Sequence, residues 1–364
     1  MENSNLISTN LLNWYDQHKR DLPWRDSGNP YLVWVSEIML QQTQVETVKP
    51  YFTRFITALP SIEDLAKADD DLLHKLWEGL GYYSRVRNMK KAAIKIMEDF
   101  NGQLPITKKE LESLPGIGPY TAGAIASIVF DQAVSAIDGN VLRVYSRLFE
   151  IDTPIERVVT KRLVDSYILE TIDQDRPGDF NQALMDLGSS ICTPLNPKCE
   201  ACPISFACNA YKSQTMIDYP VRLAKKSVKK EKRTILIIRK GSQVLIKKRG
   251  ESGLLAGLWE YINLDGHLSK KEILNRLDEE GFQVQKITKL ANSKHLFSHI
   301  HWYMQAYDIE LADLASQPVS NYLTGQASFV DYQKMRRDYA IATAYQEYTT
   351  YLDILFTDLN DYKA

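Results

Sequence analysis

From Pro30 to about Phe100 apolar residues return every three or four positions, as at Trp34, Ile38, Val45 and Val48, and this spacing predicts helices. Ser61 followed by Asp64 has the pattern of a helix start, where a short polar side chain accepts from an orphan backbone N–H. Around Leu114 the run LPGIGPYTAGAIASIVF sets a Pro/Gly turn between a short helical pattern and a longer Ala-rich one, which predicts an αα-hairpin. Past Arg233 the period changes. TILIIRKGSQVLIKKR reads as two β-rich runs about a Gly-Ser turn, followed by a Gly-rich stretch, an amphipathic segment from Lys271 to Leu277 and more β-prone sequence. No internal repeat or low-complexity tract interrupts the pattern. It divides the 364 residues into a mostly α part over 1–215, a polar, basic linker over 216–233 and an α+β part over 234–364. Each of the two larger parts is long enough to bury its own core.

Composition narrows the class. Apolar and charged fractions of 44% and 25% are those of a globular chain, which excludes fibrous and disordered classes. No apolar run approaches the roughly 18 residues of a membrane span, and Met1–Trp14 lacks a basic patch followed by an apolar stretch. The chain is therefore expected in the cytoplasm. A formal net charge of −2 argues against binding nucleic acid through global positive charge, so any such binding needs local patches. Arg85, Arg87, Lys90 and Lys91 form one, and Arg222, Lys225, Lys226, Lys229, Lys230, Lys232 and Arg233 another. Taken alone, both read as solvated faces or linker.

Three constellations carry chemistry. The four cysteines lie in one loop, Cys192-x6-Cys199-x2-Cys202-x5-Cys208, stiffened by Pro194, Pro197 and Pro203. With no export signal a reducing compartment is expected, which disfavours disulfides. Four thiolates at this spacing suit zinc or an iron-sulfur cluster, and spacing alone leaves both open. In the hairpin, Gly116 and Gly118 permit dihedrals and close approaches that a Cβ would hinder, and the helix starting after them offers N–H groups to a phosphate. A plain helix-connecting turn fits those residues too. Further on, Asp138 precedes another helical pattern, where it reads as an N-cap. A carboxylate facing helix N–H groups is expected to stay ionised. Finally, at helical spacing Glu37 shares a face with the apolar Val33, Trp34 and Leu40 and with Gln41. An acid there either reaches water at the edge of the stripe or is buried, and burial would raise its pKa and make it a proton donor at neutral pH.

The cysteine spacing resembles the [4Fe-4S] loop of the endonuclease III superfamily of DNA glycosylases, and the hairpin followed by Asp138 resembles that superfamily's helix-hairpin-helix with its Gly/Pro-rich loop and catalytic aspartate. Over nearly the whole chain the sequence resembles the adenine DNA glycosylase (MutY) family. The residues that carry this are LPWR at 22–25, SEIMLQQTQV at 36–45, GLGYYSRVRN at 79–88, LPGIGPYTAGAI, DGNVLRV, the cysteine loop and FSH at 297–299.

The resemblance implies a helix-hairpin-helix glycosylase domain with a [4Fe-4S] cluster on Cys192, Cys199, Cys202 and Cys208, with Gly116 and Gly118 at the DNA backbone. It implies Glu37 as general acid, Asp138 as oxocarbenium stabiliser or transient nucleophile, and Tyr120 and Asn140 in support. Gln42 and Tyr82 are nominated to fill the gap left by the extruded base, and Arg20 and Trp24 to line an adenine pocket. Superfamily members that cleave the backbone carry a lysine where this chain has Tyr120, so hydrolysis leaving an abasic site is implied. GLLAGLWEYI resembles part of the Nudix fold, without a recognisable acidic metal-binding stretch, so the second domain is expected to be a binding module. In MutY-type proteins that module recognises 8-oxoguanine, here through Phe297, Ser298 and His299. The expected partner is double-stranded DNA with 8-oxoguanine:adenine or guanine:adenine mispairs, bound by a monomer associated with the nucleoid. Three rivals remain: a thymine- or pyrimidine-specific glycosylase, a catalytically idle protein that holds bent DNA, and a Mg²⁺-dependent Nudix pyrophosphohydrolase.

Overall fold

The computed structural model describes residues 2–25, 27–224, 227–312 and 327–361, with side chains from residue 5 to residue 357. Along the chain its helices are α1 (Glu2–His18), α2 (Pro30–Leu40), α3 (Val45–Ala58), α4 (Ile62–Lys67), α5 (Asp70–Leu76), α6 (Ser84–Asp99), α7 (Lys108–Leu111), α8 (Pro119–Phe130), α9 (Gly139–Phe149), α10 (Val158–Thr171), α11 (Pro177–Ser190), α12 (Asn209–Lys212), α13 (Lys270–Glu279), α14 (Tyr332–Asp338) and α15 (Gln346–Asp361). No described helix is long and apolar enough to cross a membrane. The chain divides into two compact units, residues 1–68 with 88–225, and residues 69–87 with 226–364.

The first unit is helical. Asn29 caps α2 by accepting from the Tyr31 N–H, and Pro30 occupies its first turn, where a missing N–H costs nothing. The single apolar stripe expected for this helix is not what forms. Val33 through Met39 are all buried, so α2 runs through the interior and carries Glu37 inside with it. In α4 the Ser61 hydroxyl accepts from the Asp64 N–H, the start that the sequence indicates. The short-helix, long-helix hairpin is α7 and α8. Small residues then allow close approach: a Cβ on Gly123 of α8 would lie 2.0 Å from the Ser135 carbonyl oxygen in the loop before α9, and one on Gly178 of α11 would lie 2.7 Å from the Ile128 Cα of α8. Leu11, Tyr15, Val141, Tyr145, Phe180 and Leu184 form the core between α1, α9 and α11. This packing brings the start of α8 beside α11 and α2.

The second unit is built on one mixed sheet, with eight strands among the described residues: β1 (Lys229–Lys240), β2 (Gln243–Lys248), β3 (Trp259–Glu260), β4 (Ile262–Asp265), β5 (Val284–Lys289), β6 (Ser293–Leu296), β7 (Ile300–Leu311) and β8 (Ala327–Asp331). The order is β3-β2-β1-β7-β5, with β4 on β1, β6 on β7 and β8 on β2. Only β1 and β7 pair in parallel, in register from Lys229 with Ile300 to Arg239 with Glu310. Thr234 to Arg239 are buried without alternation, as in a strand covered on both faces. Ile273 and Leu277 of α13 pack with Leu236, Ile238 and Ile309 on one of them.

Two features depart from the sequence reading. Residues 229–233, expected in the linker, already form β1. Their charge is partly spent within the sheet: Lys229 and Arg233 both pair with Glu231, and Arg233 also pairs with Asp265. Lys225 and Lys226 lie outside the described residues. The second departure is that residues 69–87, read as part of the helical domain, pack in the unit that holds the sheet. The Asp71 carboxylate accepts from Lys248 Nζ at 2.8 Å and from Trp259 Nε1 at 3.0 Å, and Arg87 donates to the Ala256 carbonyl. His74 lies against Gly257, where a Cβ would come within 2.8 Å of the imidazole.

Candidate active site

Glu37 is 6% exposed, and the Tyr120 hydroxyl donates to its Oε2 at 2.5 Å. Burial pushes its carboxyl up to about 7. The Tyr120 hydrogen bond opposes the rise, the Asp138 charge adds to it and Arg25 opposes it. Tyr120 sits in the first turn of α8, its hydroxyl also 3.6 Å from Met185 Sδ on α11.

Asp138 caps α9. Its Oδ1 accepts from the Val141 N–H at 2.7 Å and its Oδ2 from the Asn140 amide at 2.8 Å. Such bonds by themselves favour the ionised form that the sequence predicts; in the fold, burial outweighs them and the carboxyl is raised, with the Val141, Asn140 and Arg143 contacts limiting the rise. Asn140 is fixed in turn by Arg143, whose Nη2 donates to Asn140 Oδ1 at 2.8 Å and to the Gly188 carbonyl, while its Nε donates to the Cys192 carbonyl.

The two carboxylates open to either side of Tyr120. Glu37 faces a cavity of about 50 Å³ with Arg20, Trp24, Arg25, Gln182 and Met185 on its walls. Asp138 faces a groove of about 840 Å³ that also borders Gln42 and Gly118, and Leu40 and Tyr120 line both spaces. Trp24 is buried edge-on to Phe52, with ring centres 5.2 Å apart. Arg20, its side chain 40% exposed, pairs with the buried Asp186. Sequence reasoning missed Arg25, Asp186, Gln182 and Arg143. Asp186 binds Arg25 through both carboxylate oxygens, at 2.8 and 3.0 Å, and so orients a buried guanidinium beside Glu37. Arg25 stood within LPWR without a role assigned, and the one signal for Asp186 was an acid in an apolar stretch of helix.

At the hairpin the two glycines differ. Gly116 has φ +78°, and a Cβ there would lie 2.6 Å from the Asn88 Cβ. Gly118 has φ −93° and open space about it, so no backbone requirement selects glycine there. Its missing Cβ leaves clear access to the start of α8, which no side chain caps.

In the second unit Tyr82 is 48% exposed with φ +48°, and its hydroxyl lies 3.0 Å from Ser298 Oγ. Phe297 is packed edge-on between His295 and Trp302. Tyr82, Phe297, Ser298 and His299 border one cavity of about 490 Å³. Gln42, the other residue nominated to fill a gap, belongs to the first unit and also has a left-handed backbone, φ +58°. Asn101, Asp131, Glu150, Gln214 and Leu255 share this backbone region, so what Gln42 and Tyr82 have for such a task is a side chain exposed on a turn. The acids near the Nudix-like stretch have structural partners: Glu260 is held by Arg249 and Tyr345, and Glu272 completes the capping box of α13.

Cys192, Cys199, Cys202 and Cys208 are free thiols that border one cavity with Ile191, Pro197, Tyr211 and Met216. All four thiols thus lie around a single small space. Arg147, 2% exposed, donates to Cys192 Sγ at 3.3 Å and to the Thr193, Pro194, Met216 and Tyr219 carbonyls. A buried, fully hydrogen-bonded cation beside four thiols offsets the negative charge that metal-bound thiolates carry.

These features define a class. Residues 35–167 match the model of the HhH-GPD superfamily of base excision DNA repair proteins, and residues 233–351 match a NUDIX domain. A thermostable thymine-DNA glycosylase of known structure is 27% identical, with a TM-score of 0.53 over 58% of this chain and 98% of its own. The protein is a helix-hairpin-helix DNA glycosylase, a hydrolase of N-glycosyl bonds, with a Nudix-like domain appended. The adenine DNA glycosylase of Mus musculus is 36% identical over 361 residues, spanning 83% of this chain and 70% of the relative. That of Buchnera aphidicola subsp. Schizaphis graminum is 38% identical over 300 residues, spanning 81% and 84%. The chain belongs to the adenine DNA glycosylase family.

Proposed function

We propose that this protein excises adenine paired with 8-oxoguanine or guanine in double-stranded DNA and leaves an abasic site in an uncut strand. The observation that carries this reading is the pair of carboxyl groups flanking Tyr120, one with its pKa near neutrality and the other hydrogen-bonded at a helix N-terminus.

Adenine leaves poorly as an anion, so its departure needs a proton on a ring nitrogen. Glu37, with a carboxyl pKa of about 7, holds one at neutral pH and faces the small cavity walled by Arg20 and Trp24. Once the proton is gone, the Tyr120 hydroxyl steadies the Glu37 carboxylate. The sugar left behind carries positive charge, which ionised Asp138 stabilises more as the glycosidic bond lengthens, with Asn140 orienting that carboxylate. Water completes the hydrolysis, following the two-carboxylate logic of glycoside cleavage. Tyr120 has no amine to form a Schiff base with the sugar, which supports an uncut strand as product.

The base must leave the stack to reach Glu37. Gln42 and Tyr82, exposed on strained turns, are suited to fill the space it vacates. Ser298 and His299 offer hydrogen-bonding groups beside Phe297 for the oxidised edge of 8-oxoguanine, and the free N–H groups after Gly118 suit a phosphate. The four thiols around one cavity, with Arg147 donating to Cys192 Sγ, suit a [4Fe-4S] cluster, the group that the spacing of the cysteines resembles. Such a cluster would tie residues 192–208 together as a structural element.

The test is incubation with a duplex carrying adenine opposite 8-oxoguanine. Free adenine and an alkali-labile site are expected, with no protein–DNA adduct after borohydride. Release of thymine from a guanine:thymine duplex with adenine untouched would overturn the substrate; a borohydride-trapped adduct would overturn the monofunctional mechanism.

A further inference from the structure

With a net charge of −2, affinity for DNA must come from local cations, and several of those in the basic patches apparent in the sequence are committed elsewhere. Arg85 is buried and donates to the Leu80 and Gly81 carbonyls, Arg87 donates to Ala256, and Lys229 and Arg233 pair with Glu231. Arg222 faces Glu156 at 3.7 Å. The groove beside Asp138 has a different wall. Val158, Lys161, Arg162 and Asp165 all border it, and their spacing of three, four and seven residues puts them on one face of α10. Asp165 is turned inward by the Ser135 hydroxyl, and the Lys108 ammonium donates to the Ser135 carbonyl. Lys161 and Arg162 are exposed; the Lys161 charge also helps hold the Glu156 carboxyl low. Val158, 63% exposed, stands one turn before them.

The same groove is also bordered by the uncapped start of α8, from Gly118 to Thr121. We infer that the Val158–Lys161–Arg162 face of α10 grips the phosphodiester backbone next to the extruded nucleotide, in the groove that it shares with the hairpin, so that two phosphate-binding surfaces hold the sugar at Asp138. This rests on the function proposed above and assigns it a second backbone-binding surface. A guanidinium and an ammonium side by side suit adjacent phosphate oxygens, and the valine offers an apolar surface to the intervening sugar.

The experiment measures binding to a duplex with a tetrahydrofuran abasic analogue opposite 8-oxoguanine, a ligand on which no chemistry occurs, across a series of salt concentrations. Removing one cation from a phosphate lowers the slope of log Kd against log salt by roughly 0.9, so the Lys161→Ala, Arg162→Ala double variant is expected to lose roughly 2 and to bind about tenfold more weakly. Lys161→Arg is expected to retain both slope and affinity. Thermal melting of each variant reports folding, which substitutions at exposed positions leave unchanged. An unaltered slope in the folded double variant overturns the inference. Adenine release by the unaltered protein is scored separately: if it fails while the slope falls, the backbone-binding surface stands and the substrate reading does not.

Discussion

The acid proposed to do the chemistry is also a burden on the fold. Glu37 has its carboxyl raised from 4.5 to about 7 by burial. For a group whose pKa is higher folded than unfolded, the folded state binds more protons between the two values. The stabilising contribution is therefore complete below 4.5 and lost as pH rises through about 7. Glu37→Gln is expected to remove that loss, and above pH 7 to be more stable than the unaltered protein by on the order of 1–3 kcal/mol, read from denaturant melts at several pH values. The same variant is expected to lose adenine release by at least roughly 10²-fold while still binding the mispaired duplex. Normal turnover would remove Glu37 from the role of acid. Tyr120→Phe strips the carboxylate of its donor, so the basic limb of the pH–rate profile is expected to move to higher pH. Glu37 was visible in the sequence because a charge inside an apolar run needs a reason. Its regulators were not, because Arg25 and Asp186 meet across 161 positions and only folding makes them neighbours.

Elements differ in how local their causes are. The α7–α8 hairpin could be read from its Pro/Gly turn, yet the two glycines serve different ends. Gly116→Ala must adopt φ +78° and push Asn88 away, an expected cost of about 1–3 kcal/mol in thermal or denaturant unfolding. Gly118→Ala, with an ordinary φ and open space, is expected to leave stability unchanged and weaken duplex binding by crowding the start of α8. The cysteine loop was equally local in signal. Cys199→Ser is expected to lower bound iron in the purified protein; full occupancy would contradict the cluster. The start of β1 was hidden for the opposite reason. Lys229 to Arg233 show no apolar alternation, since pairing with β7 and charge pairing with Glu231 and Asp265 hold them in the strand.

At the scale of the whole molecule, residues 69–87 leave their sequence neighbours and join the sheet-bearing unit, where Asp71 anchors Lys248 and Trp259 and Tyr82 meets Ser298. Asp71→Ala is expected to cost about 1 kcal/mol, to lower hydrogen-exchange protection near residues 248 and 259, and to narrow the preference for 8-oxoguanine over guanine opposite adenine. Protection and preference both unchanged would mean the anchor does nothing for recognition. The sequence by itself determined the helical and α+β halves, the hairpin, the cysteine loop, the cap at Asp138 and the family, because periodicity, turn chemistry and motif spacing are written over a few consecutive residues. Only the tertiary structure decided that α2 is buried on all sides, that Glu37 and Asp138 flank one tyrosine, and that residues 69–87 pack against the sheet. Those outcomes depend on meetings between residues tens to hundreds of positions apart, which no local pattern encodes.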